Sequence, residues 1–124
     1  MWLTPILPFI NDTEENISAI LKECVRIGVK GIVCFGLGLT LREGDREYYY
    51  SALDKHFPGM KEKYISRYGN AYELSSPKAK ELRGIFHKIC DDNGIMSRPE
   101  DCFEDMSDLP ERYRQMSLFD RNDF

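Results

Sequence analysis

Two apolar runs, Trp2 to Ile10 and Ile32 to Phe35, flank one stretch of helical periodicity, and this arrangement most constrains how the chain folds. The first run is almost wholly apolar, as a strand buried on both faces must be, and its Pro5 and Pro8 predict a loop at its carboxyl end. Between the runs, Ile17, Ile20, Leu21, Cys24 and Val25 fall on one face of a helix. Asp12 and Glu15 resemble a capping box at its start, and Gly28 is a natural stop. Strand, helix, strand at this length predicts a parallel βαβ crossover, which is right-handed by the general chirality rule.

The second run leads into Gly36-Leu37-Gly38-Leu39. A helix is predicted from Asp45 to Phe57, with Tyr49, Tyr50, Leu53 and Phe57 on one face, then a Pro58-Gly59 break and a short helix over Met60 to Tyr68. Ser76 as N-cap and Pro77 at the first position open a further helix, with Leu82, Ile85, Phe86 and Ile89 as its buried stripe and Gly94 as its end. A short helix is expected near Glu100 to Met106. Two strands leave unpaired edges, so the chain should gain a strand from Asn70 to Leu74 or pair with a second copy as a homodimer.

At 124 residues there is room for one small domain. No apolar run approaches the ~20 residues of a membrane span and the first residues lack a basic leader, which predicts a cytoplasmic protein with no membrane partner. Cys24, Cys34, Cys90 and Cys102 show no metal-ligand spacing, so free thiols are expected and no metal site. The net charge of −4 is uneven: the segment from Glu100 onward carries −5 and residues 1 to 99 carry +1, leaving no strongly basic nucleic-acid footprint. Met1 meets a core-like run at once, with no polar lead-in, as in a chain that continues a longer one.

Three separated segments carry a family resemblance. Trp2-Leu-Thr-Pro-Ile-Leu-Pro-Phe-Ile-Asn-Asp12 resembles the SPxxPxxND signature on a late barrel strand of radical S-adenosylmethionine (SAM) proteins of the spore photoproduct lyase-like, or DNA repair photolyase-like, group. Leu37-Gly-Leu39 and Leu53-Asp-Lys-His-Phe-Pro58 resemble that group's LxL and LxxHFP segments, in the same order. The resemblance implies an α/β chain: a βαβ-containing fragment of a partial TIM-like (β/α) barrel followed by C-terminal helices. Residues 1–69 would be the last βα units, 70–99 a helical extension, and 100–124 an acidic tail expected to be flexible. The family's C-x3-C-x2-C loop, which holds a 4Fe-4S cluster, has no counterpart here. The chain would hold no cofactor itself and be inactive alone. Its partner would be the remainder of a parent enzyme that binds the cluster and SAM and cleaves SAM reductively to start hydrogen abstraction.

Barrel ligands sit at the carboxyl ends of the strands. The expected cofactor-lining residues are therefore Thr4, Ile6, Pro8 and Asn11 after the first run and Gly36, Leu37, Gly38 and Leu39 after the second, with Pro5, Leu7 and Asp12 beside them. Plainer readings compete: Asn11 and Asp12 as helix caps, the glycines as a strand bend. Cys34 reads as a buried structural thiol or a hydrogen donor, and no catalytic residue is assigned. Tyr48, Tyr49, Tyr50, Tyr64, Tyr68 and Tyr72, interleaved with Arg46, Lys55, Lys61, Lys63 and Arg67, suit either a tyrosine core or nucleic-acid stacking.

The tail holds Gln115-Met-Ser-Leu-Phe119, which looks like the pentapeptide that binds the bacterial sliding clamp. Gln115, Met116, Leu118 and Phe119 are its candidate partner-binding residues, either on a clamp or docked against the chain's own domain. The rival to the enzyme reading is accordingly a stand-alone α/β interaction module.

Overall fold

In the computed structural model, which describes residues 1–108, the chain is a mixture of helices and short extended pairings. Its elements are α1 (Glu14–Ile27), β1 (Gly38–Thr40), α2 (Asp45–His56), α3 (Met60–Tyr68), β2 (Glu73–Ser75), α4 (Ala79–Asp92) and α5 (Pro99–Ser107). The tail motif Gln115, Met116, Leu118 and Phe119 lies outside the described residues, so that expectation is not addressed by the fold.

The two apolar runs do lie side by side and parallel, with α1 between them in sequence. Trp2 bridges Val33, and the Leu3 N–H donates to the Val33 carbonyl at 2.9 Å while the Val33 N–H donates to Met1 at 2.8 Å. A third run joins them, because Gly31 bridges Met96 in parallel and the Ile32 N–H donates to the Met96 carbonyl at 2.8 Å. Each pairing is a single bridge, so the strand expected to open the Trp2 to Ile10 run is shorter than expected, and the loop expected at its carboxyl end takes up most of the run. Prolines 5 and 8 have no N–H to give to a ladder, the Thr4–Pro5 peptide is cis, and residues 8–11 form a turn with Phe9 at φ 63°. The second run also breaks, bending at Phe35 to Leu37 before β1 forms.

β1 pairs antiparallel with β2 in the register Gly38↔Ser75, Leu39↔Leu74 and Thr40↔Glu73. The strand expected near Asn70 to Leu74 thus exists, displaced toward Ser75. Gly38 is required there: a Cβ at this position would lie 2.1 Å from the Leu74 carbonyl oxygen, well inside any real contact.

Two capping assignments need correction. Thr13, not Asp12, caps α1, its hydroxyl accepting from the Asn16 N–H at 3.2 Å, because the Asp12 carboxylate turns inward to accept from the Ser76 hydroxyl at 2.5 Å. The helix expected from Ser76 begins at Ala79. Ser76 instead shapes the turn before it, accepting from the Lys78 N–H on its hydroxyl at 3.1 Å and from the Ala79 N–H on its carbonyl at 3.0 Å.

Two apolar cores result. The larger joins the parallel runs to α1 and α4 through Leu3, Ile6, Ile32, Ile17, Leu21, Leu82 and Phe86. The smaller lies under α2 and α3, where Leu41, Leu53, Tyr64 and Leu74 are buried and Phe9, Tyr49, Tyr50 and Tyr68 pack round them. Residues 70–99, read as an extension, supply β2, α4 and the third parallel run, so they share these cores with residues 1–69.

Candidate functional site

Both Trp2–Leu3 and Gly31–Val33 run toward the same end of the molecule, and there the backbone departs from the ladder. Thr4-Pro5 leaves after the first run, Phe35 to Thr40 after the second, and β2 closes the third side. They enclose an open groove of about 450 Å³ lined by Thr4, Pro5, residues 35–40 and residues 73–75. Pro5 has no N–H with which to extend one pairing, and Gly38, with no room for a Cβ, lets β1 approach β2 closely.

Of the eight expected lining residues, Thr4, Gly36, Leu37, Gly38 and Leu39 meet at this groove. The other three do not line it. Ile6 is core, donating its N–H to the Gly38 carbonyl at 3.1 Å, and Pro8 is fully buried with its carbonyl taken by the Tyr64 hydroxyl. Asn11 holds the turn, its Oδ1 accepting from the Leu7 N–H at 2.6 Å and its carbonyl from the Asn16 side chain at 2.9 Å. The hydrogen bonds of Asn11 hold a turn and that of Asp12 joins the Ser76 hydroxyl, rather than capping a helix.

The groove is chemically mixed. Phe35 is 64% exposed and offers a flat apolar face, Thr4, Thr40 and Ser75 offer hydroxyls, and Glu73 is the one charged residue in the lining. Glu73, Thr40 and Ser75 were missed in the sequence because their place depends on an antiparallel pairing distant along the chain. Cys34 stands beside the bend, its thiol 3.7 Å from the Gly36 carbonyl, and burial pushes its pKa up. It is thus a neutral thiol at neutral pH.

All four cysteines are free thiols. Cys24, Cys90 and Cys102 are buried, Cys24 with its Sγ 3.1 Å from the Met1 sulfur, and burial pushes Cys90 up to about 11. Among the described residues no three His, Cys, Asp or Glu side chains stand close enough to hold a metal ion.

The tyrosines form a packed network. Tyr64 donates to the Pro8 carbonyl and shares a 2.9 Å hydrogen bond with Tyr49, its ring lies edge-on to Phe9 and Tyr49, and Tyr68 donates to the Ser75 carbonyl. Burial raises the pKa of Tyr49, Tyr64 and Tyr68. Tyr64 is fully buried and Tyr49 and Tyr68 are partly buried in this packing, whereas Tyr48 and Tyr72 are exposed. Arg46 is drawn into structure too, donating to the carbonyls of Leu41, Asn70 and Ala71 at 3.3, 3.3 and 2.7 Å. His56 is exposed, and His87 Nδ1 lies 3.0 Å from the Ser97 hydroxyl with its ring on Phe86. No described helix is long and apolar enough to cross a membrane.

Compared with family models, with curated proteins and with solved structures, the chain matches none.

Proposed function

We propose that this chain supplies the late-strand wall of the ligand site in a radical SAM enzyme of the photoproduct lyase-like group, with the 4Fe-4S cluster held by residues outside it. One observation carries the reading: a groove lies at the carboxyl ends of two parallel runs, where barrel ligands bind, and five of the residues singled out by the resemblance line it. SAM would bring the reducible sulfonium that the cluster cleaves. The chain's own part is binding and orientation. Phe35 offers its ring face to the adenine, Thr4, Thr40 and Ser75 offer hydroxyls to the ribose and amino-acid groups, and Glu73 attracts the ligand's positive charge. The edge of the first run supports a continuing sheet, since the Trp2 N–H and C=O take no hydrogen-bond partner among the described residues.

The experiment reads the coding sequence upstream of Met1 in frame for a C-x3-C-x2-C loop within about one barrel length, ~200 codons. The longer product is then incubated anaerobically with SAM and a reductant beside this chain alone. A cysteine loop, with 5′-deoxyadenosine from the longer protein and none from this chain, is expected. An upstream stop codon, or product from this chain alone, contradicts the proposal.

A further inference from the structure

Opposite α1 and α4, the parallel runs carry an aromatic patch. Trp2, Phe35 and Phe103 are 53%, 64% and 39% exposed, with ring centroids 5.8 to 6.0 Å apart. Met1 and Met106 extend it, so five of the ten exposed large apolar side chains among the described residues gather at one place. A small hollow of about 190 Å³ opens between Met1, Trp2, Val33, Cys102 and Met106. Next to it, Asp101, Glu104, Asp105 and Asp108 line an acidic hollow along α5, a helix with no basic residue. Lys30 pairs with Asp105 at its edge.

We propose that this face is the docking site of the chain's own carboxyl-terminal segment, residues 109–124. Three observations choose this occupant. The described chain ends at Asp108, on the helix that carries Phe103 and Met106 into the patch, so the segment starts beside its target. Its order of chemistry follows the order of the surface: Arg112 and Arg114 come first, where the acidic hollow is, and Met116, Leu118 and Phe119 come after, where the aromatic patch is. Ten residues from Asp108 to Leu118 reach up to roughly 33 Å when extended, ample for a return over a small domain. A second copy of the chain would supply the apolar groups but would bring a second acidic α5 against the first.

Trp2 is the chain's single tryptophan and lies in the patch, so its fluorescence reads the docking without a label and without any groove ligand. The full chain should show blue-shifted emission and restricted acrylamide quenching. In full-length Leu118→Ala/Phe119→Ala and Arg112→Glu/Arg114→Glu variants the emission should move to the red and the quenching constant rise roughly twofold as the ring is uncovered. A peptide of residues 109–124 added to the alanine variant, with helical circular dichroism retained, should restore the shift. Emission and quenching equal in all three proteins, or a peptide without effect, overturns the proposal. So does protection of Trp2 that vanishes on dilution of the unsubstituted chain, which assigns the patch to a second copy.

Discussion

Two glycines show how differently one atom weighs at different residues. At Gly38 a methyl group meets the Leu74 carbonyl oxygen at 2.1 Å and the Ser75 Cα at 2.8 Å, both backbone, so neither can step aside. Gly38→Ala should therefore lower stability by about 3 kcal/mol or more and part β1 from β2. Gly84, inside α4, has nothing within 4 Å of its would-be Cβ, and Gly84→Ala should raise stability by about 1 kcal/mol. Urea titrations of the two variants check both signs, and equal effects would refute the close approach at β1. Tyr64→Phe is a third case. It removes the hydroxyl that joins Tyr49 to the buried Pro8 carbonyl, leaving that acceptor without its donor, and should cost about 1–3 kcal/mol with the ring packing intact. A melting temperature unchanged by the substitution would show the hydroxyl to be idle.

Among the elements, the pairing of α1 with α4 makes stability depend on alkaline pH. Cys24 and Cys90 lie in this interface, and burial pushes both thiols up, Cys90 to about 11 from an ordinary value near 9. Tyr49, Tyr64 and Tyr68 are raised in the second core for the same reason. The folded chain thus holds protons that the unfolded chain gives up. Their stabilisation is complete below pH 9 and is lost as pH rises toward 11 and above. The urea midpoint should fall between about pH 8 and about pH 10.5, and a flat profile would mean the thiols are not buried as described. The helices themselves were legible in the sequence. α2, α3 and α5 begin and end within a residue or two of expectation, because periodicity and the Pro58-Gly59 break are local signals. The pairings were not. β1 with β2, and Gly31 with Met96, join residues far apart along the chain through backbone groups that every sequence has. Hence the glycines of the groove could be read in advance, while Glu73 and Ser75 could not. Asp12 looked like a cap for the same reason, its real partner Ser76 being brought to it only by the fold.

At the scale of the whole molecule, one layer of parallel runs carries α1 and α4 on one side, with α5 and the aromatic patch against the other. The groove opens at the carboxyl ends of that layer. The central claim is that this groove takes SAM through its adenosine and amino-acid ends. The most direct test is an NMR titration of the isotope-labelled chain with S-adenosylhomocysteine, which keeps those ends and needs no cluster. The account predicts saturable shifts of the Gly36, Gly38, Thr40 and Ser75 amides, weakened by Glu73→Ala, with the amides of α2 and α3 unmoved. No shifts at millimolar ligand, or shifts centred on the α2–α3 side, would contradict it.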